Sequence, residues 1–293
     1  MQDVVQRTLR RKLLNNMQLQ TPVIIQQAPF SISPMESMLF VGSCFADNIG
    51  RLFVEDKFRA TVNPFGVMYN PASILHTVVR HLADHDAPRT AVFTLGTNHV
   101  YILNETGEIV DNCQKRPQRL FTERELTVDE CASYLRRAVE ALRAKRDDVR
   151  VIITVSPIRY AKYGFHGSQL SKATLLLAAD KLVKEYASER ASKEKACEVV
   201  YFPAYEIVND ELRDYRFYRE DMLHPSDQAV KYIHQRFADT FFSNDTHAFL
   251  KKWQPIKAAL NHRPFNPDSE DYKAFLAKAK EDERKLVEEY GFH

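Results

Sequence analysis

Long apolar runs are missing from this sequence. No stretch approaches the roughly 18 consecutive apolar residues of a transmembrane helix, which excludes a spanning segment of that kind. Cysteine is scarce. Cys44, Cys113, Cys131 and Cys197 lie far apart without a Cys-x-x-Cys spacing, which argues against a zinc ribbon or a disulfide framework and fits a reducing compartment. An excess of either charge is lacking too. With 41 Lys and Arg against 39 Asp and Glu, the net +2 gives no field that would draw the chain to nucleic acid or a membrane surface. Residues 1–16 carry Arg7, Arg10, Arg11 and Lys12, but no apolar core follows them. A secretory signal is therefore not read there, and the expected location is the cytoplasm. No internal repeat is visible.

The 293 residues are 44% hydrophobic and 27% charged, which is the composition of a globular protein able to bury one large core. The organising stretch is residues 41–50, Val41-Gly42-Ser43-Cys44-Phe45-Ala46-Asp47-Asn48-Ile49-Gly50. Met38-Leu39-Phe40-Val41 before it has the length of a buried parallel strand, and Phe45, Ile49, Leu52 and Phe53 after it recur at helical spacing. Gly42-Ser43-Cys44 thus sits where a strand hands over to a helix, the place where open α/β sheets bind ligands. Unpaired N–H groups and the helix dipole favour negative charge there. Ser43 is a candidate nucleophile; equally, it is a candidate N-cap of the helix that follows.

Further strands are predicted at 58–62, 91–95, 149–155 and 198–202, and a short one at 22–25. Residues 99–111 alternate around Asn104-Glu105-Thr106-Gly107 and read as a hairpin, either a lid or an edge decoration. Helices are predicted from Pro71, over 128–145 behind a Thr127/Glu130 capping box, over 169–187, near 205–212, and after Pro225-Ser226. Strands alternating with helices imply a mostly parallel sheet covered on both faces. Three regions follow: an N-terminal extension over 1–20, an α/β domain over 21–243, and a C-terminal helical appendage over 244–293.

Four places could carry chemistry. Beyond Ser43, Asp221-Met222-Leu223-His224 can turn a carboxylate toward imidazole Nδ1 and leave Nε2 as a general base. Gly66 and Asn98 both follow candidate strands, and a Gly66 N–H and an Asn98 amide are donor types that hold an oxyanion. Each has a plain alternative, as a turn glycine and a strand-ending asparagine. Cys44 rivals Ser43, because a thiol at a helix N-terminus can be activated, and only one of two neighbours in the same turn can meet His224. Arg213, Asp214, Tyr215, Arg216 and Tyr218 read either as a substrate rim or as a network bracing a loop, and Asn112, Lys115 and Arg116 beside Cys113 have the same two readings.

The run Gly42-Ser43-Cys44-Phe45-Ala46 with Asn48-Ile49-Gly50 resembles the signature of the GSCFA domain family, as do Asn63-Pro64-Phe65-Gly66, Tyr69-Asn70-Pro71, Thr94-Leu95-Gly96-Thr97, Ser171-Lys172-Ala173, Tyr201-Phe202-Pro203, residues 212–217, and Asp221-Met222-Leu223-His224-Pro225-Ser226. The resemblance runs over about residues 21–242. That family is similar to the SGNH, or GDSL-like, hydrolases. The likeness implies a three-layer α/β/α sandwich and serine-esterase chemistry, with Ser43, Asp221 and His224 as triad and Ser43, Gly66 and Asn98 as oxyanion hole. The usual Gly-Asp-Ser opening reads Gly-Ser-Cys here, and Asn98 is followed by His99 rather than Asp. The expected substrate is a small-molecule or carbohydrate O-acyl ester, with no metal and no organic cofactor. A glycan- or partner-binding protein on the same scaffold, and an O-acyltransferase, remain as alternatives.

Overall fold

A computed structural model describes residues 20–111, 116–192 and 197–290. The basic segment read over 1–16 and the residues Asn112, Cys113 and Lys115 lie outside them. Strand β1 (Ser37–Gly42) sets the pattern: Met38 and Phe40 pack on one face, Leu39 and Val41 on the other. Only a strand covered on both sides carries apolar residues at every position. With β2 (Arg59–Val62), β3 (Thr90–Leu95), β7 (Arg150–Val155) and β8 (Glu198–Tyr201) it forms a parallel sheet in the order β2-β1-β3-β7-β8. The chain runs from β1 out to β2 and then returns past it to β3. The crevice at the carboxyl ends of β1 and β3 is therefore the switch point of the sheet.

Helices cover both faces, so the architecture is the expected three-layer sandwich. On one face lie α1 (Cys44–Glu55), through Phe45, Ile49 and Phe53, and α5 (Asp227–Phe241), through Ile233, Phe237 and Phe241. The other face carries α2 (Pro71–Asp84), α3 (Val128–Lys145) and α4 (Gly164–Ser192). Their ends follow local chemistry. Asn70 caps α2 from the Ser73 N–H, Thr127 and Glu130 form the capping box of α3, and Ser226 caps α5.

Four elements differ from expectation. Residues 22–25 form no strand; the Val23 N–H donates to Glu211 Oε2 (3.0 Å) and its carbonyl accepts from Arg236 Nη2 (2.6 Å), so side chains satisfy that backbone. The hairpin of β4 (His99–Leu103) and β5 (Ile109–Val110) gains a third antiparallel strand, β6 (Phe121–Glu125), whose charged exposed face hid it. Helix α4 starts five residues earlier than periodicity suggested. The helix expected near 205–212 is one turn, Ala204–Glu206, continued as a π-helix over Ile207–Leu212.

Beyond α5, α6 (Asn244–Leu260) and α7 (Glu270–Tyr290) pack on each other and on the sandwich. Phe249, Trp253 and Leu286 enclose Met35. The Trp253 indole N–H donates to Glu55 O (2.9 Å) and Lys257 Nζ pairs with Asp56 (2.9 Å), which ties α6 to the end of α1.

Candidate active site

Gly42 ends β1 with φ +149°, and a Cβ there would stand 2.2 Å from Thr94 O, so only glycine lets the two strand ends approach. Asn63 braces the turn, accepting the Gly42 N–H (2.9 Å) and donating to Asp47 (2.6 Å). The next residue, Ser43, donates its backbone N–H to Thr94 O (3.1 Å). Its hydroxyl accepts the Phe45 N–H (3.2 Å) and stands 3.3 Å from Thr94 Oγ1, with the residue 0% exposed. Ser43 is thus the N-cap, facing the interior. Cys44, the first residue of α1, points the other way: it is half-buried, and its Sγ lies 3.9 Å from the Tyr69 hydroxyl.

The expected Asp–His pair is assembled. Asp221 Oδ2 lies 2.6 Å from His224 Nδ1, while Oδ1 accepts the backbone N–H groups of Leu223 (2.8 Å) and His224 (2.9 Å). Those backbone bonds from His224 and Leu223, more than the imidazole, hold the Asp221 carboxyl down at about 2. With Nδ1–H donated to the carboxylate, Nε2 carries the lone pair of a base. The turn is clamped from outside: the Arg159 N–H donates to Leu223 O (3.0 Å), Arg159 Nη1 to Met222 O (2.9 Å), and the Arg219 N–H to His224 O (2.8 Å). No hydrogen bond joins His224 to Ser43 or Cys44.

The two other expected oxyanion donors are engaged by the fold. The Gly66 N–H closes its own turn on Asn63 O (2.9 Å). Asn98 is 2% exposed; its Nδ2 donates to Leu126 O (2.8 Å), its backbone N–H to Ser171 Oγ (3.0 Å), and its Oδ1 is left without a partner. Asn98 therefore anchors the start of the antiparallel sheet to the link before α3 and to α4. Beside it His99 stacks on Tyr163 (ring centroids 3.6 Å apart), and burial pushes its imidazole down despite Glu125 and Glu123 nearby.

Tyr69 and Lys172, named above only inside motifs, and Tyr160 between them form a chain of contacts leading inward from Cys44. Burial, then the neighbouring Cys44, pushes the Tyr69 hydroxyl up to about 12, so it stays a donor. Tyr160 packs edge-on against Tyr69 (5.9 Å), its hydroxyl buried without a partner and raised by burial. Behind Tyr160, Lys172 is fully buried: its Nζ donates to Gly96 O (2.7 Å) and Ser156 O (2.8 Å) and lies 5.3 Å from the Tyr160 ring centre. Burial lowers the amine to about 7. Gly96, like Gly42, has no room for a side chain; a Cβ would meet Tyr160 Oη at 2.6 Å and Tyr69 O at 2.8 Å. Among the described residues no cluster of His, Cys, Asp or Glu has the makings of a metal site, and no helix is long and apolar enough to cross a membrane.

No curated protein matches the chain. Similar solved structures include an acetyl esterase mutant with acetate ion (TM-score 0.44, 12% identity, 75% of this chain and 100% of that one). A catalytic mutant of an acetylxylan esterase from Geobacillus stearothermophilus is comparable (0.44, 13%, 73% and 98%), as is a GDSL-like lipase from Bacteroides thetaiotaomicron (0.43, 13%, 80% and 95%). The model of the GSCFA family matches residues 37–89 and 86–237, spanning the sheet, the Gly42–Cys44 turn and the Asp221–His224 pair. A second, described as the C-terminal domain of GSCFA domain proteins, matches residues 253–292. The chain belongs to the GSCFA family.

Proposed function

We propose that this chain hydrolyses small O-acyl esters, with Cys44 as the nucleophile and Asp221–His224 as its base. The observation that carries the reading is the Asp221–His224 pair: a carboxylate kept ionised by two backbone N–H groups and directed at imidazole Nδ1. Cys44 replaces Ser43 in the role expected of the serine because the Ser43 hydroxyl is buried and engaged by Phe45 and Thr94. Turning it outward would remove a cap worth about 1 kcal/mol. The thiol is already half-exposed, at the first residue of α1 and turned away from the buried Ser43 hydroxyl.

In this mechanism His224 Nε2 takes the Cys44 proton and the sulfur bonds to the ester carbonyl carbon. The carbonyl electron pair moves to oxygen, near the Tyr69 hydroxyl and the N–H of Cys44, which has no intrahelical acceptor. Collapse expels the alkoxide, which takes the proton from His224. Water then attacks the thioester, giving its proton to His224, and the acid leaves as the thiol is restored. A carbohydrate O-acetyl ester is the substrate class first in line.

One observation favours a binding protein on the same scaffold: His224 makes no hydrogen bond to Cys44 or Ser43. Hydrolysis of a chromogenic acetate, with iodoacetamide and fluorophosphonate labelling mapped by mass spectrometry, separates the readings. Iodoacetamide on Cys44 with loss of turnover supports the thiol. A fluorophosphonate adduct on Ser43 returns the role to the serine, and no turnover by a folded sample leaves the binding protein.

A further inference from the structure

A cavity of about 270 Å³ adjoins the Asp221–His224 turn, walled by Arg159, Gln169, Asn209, Arg213, Tyr215 and Tyr218. Two of its wall residues also brace the turn: Arg159 holds the Leu223 and Met222 carbonyls, and Tyr218 bridges to Pro225. The Arg159 guanidinium is fixed in place over the Phe165 ring (4.1 Å) and beside Tyr218 (5.6 Å), yet among the described residues no carboxylate pairs with it. Arg213 stands at a left-handed position (φ +39°) at the end of the π-helix. Its nearest acid is Asp210 at 4.0 Å, both side chains being largely exposed, so water screens that contact. Asp214 also lines the wall, but its carboxylate is turned to the Arg216 N–H (2.9 Å).

The remaining polar groups are set by their neighbours. Gln169 Oε1 accepts from the Tyr205 hydroxyl, which leaves the Gln169 amide nitrogen as a donor. Asn209 Nδ2 donates to Tyr205 O (2.7 Å), which leaves its Oδ1 as an acceptor. Two guanidinium groups, an amide donor, an amide acceptor and two phenol rings converge on a space at the small end of ligand pockets, which run from about 300 Å³ upward. The braced Arg159 guanidinium, with the exposed Arg213 beside it, favours an oxyanion even though Asp214 shares the wall. Mixed amides and aromatic faces suit the hydroxyls and C–H face of one sugar ring.

We infer that this cavity receives the alcohol half of the ester, and that this half is a sugar-sized polyol bearing an oxyanion, either carboxylate or phosphate. The inference rests on the hydrolase reading of Cys44 and His224, but its test does not need turnover. The full chain carrying Cys44→Ala is titrated calorimetrically with glucuronate, glucose 6-phosphate and glucose. At least one anionic sugar should bind about tenfold or more tighter than glucose, as a charge-assisted contact predicts, and the tighter one identifies the anion. Adding Arg213→Gln, or Tyr215→Ala as a second exposed position, should bring that preference down toward the level of glucose. Equal binding of all three sugars, or binding of none, overturns the subsite. Binding without any ester turnover by the unsubstituted chain sinks the hydrolase reading alone; turnover without binding sinks the subsite alone.

Discussion

The Ser43 hydroxyl stands 3.3 Å from the Thr94 hydroxyl and also accepts the Phe45 N–H, so one side chain joins β1 to β3 and caps α1. Ser43→Ala should lower stability by about 1 kcal/mol through the lost cap, and somewhat more because the buried Thr94 hydroxyl loses a partner. The thiol at position 44 should keep its reactivity. Urea midpoints and iodoacetamide labelling rates of the two proteins check both outcomes.

In the proposed mechanism Asp221 orients an imidazole rather than reacting. Asp221→Asn should cut kcat by about a thousandfold or more, since the amide favours the wrong tautomer of His224. The carboxyl sits at about 2 in the folded chain against an ordinary 3.8. Its ionisation therefore favours the fold above pH 4, and that contribution fades as pH falls toward 2. An Asp221→Asn variant should accordingly lose part of the acid sensitivity of the unsubstituted chain, read as melting temperature against pH.

The Tyr69 hydroxyl lies 3.9 Å from the sulfur of the proposed nucleophile, and it stays protonated up to about pH 12. Tyr69→Phe keeps the ring against Tyr160 and removes only the donor. A fall of about a hundredfold in kcat with a small change in KM is expected; a change in KM alone would make Tyr69 a binding group.

Which parts of this arrangement are legible in the sequence follows from what fixes each one. Residues 38–55 read as strand, turn and helix because burial on two faces and helical spacing are local patterns. The Asp221–His224 pair is legible because both partners lie within one turn. The side-chain directions are not local. Ser43 faces inward because Thr94, on a neighbouring strand, accepts its N–H; Asn98 turns from the crevice because the Leu126 carbonyl, 28 residues on, takes its amide. Lys172 carries no mark of burial in a helix whose other cations are mostly exposed.

That lysine gives a prediction with a definite sign. Below pH 7 its amine is charged in the folded and the unfolded chain alike, and the cost of burying the charge is fully present. Between about 7 and its ordinary 10.5 the unfolded chain holds the proton and the folded one does not, so stability rises with pH across that window. Lys172→Met does not titrate. The unsubstituted chain should therefore gain on it steadily from pH 7 to 10 in urea midpoint, and a constant difference would mean that the ammonium stays charged throughout.

Trp253 is the single tryptophan of the chain, and it is buried where α6 meets the end of α1. Trp253→Ala should cost about 3 kcal/mol or more. In the unsubstituted chain the indole emission reports whether α6 is docked. A red shift in urea that precedes the loss of helical circular dichroism would show the C-terminal helices leaving before the sandwich unfolds.

Gly42 and Gly96 leave space for one hydrogen atom each beneath the crevice. A methyl group at Gly42 would push against Thr94 on the neighbouring strand, and one at Gly96 against Tyr69 and Tyr160 in the loops above. On the proposed function, selectivity for one ester over another would have to come from the loops around residues 159–165 and 213–224. A designer seeking new selectivity would begin at those loops and leave the two glycines untouched.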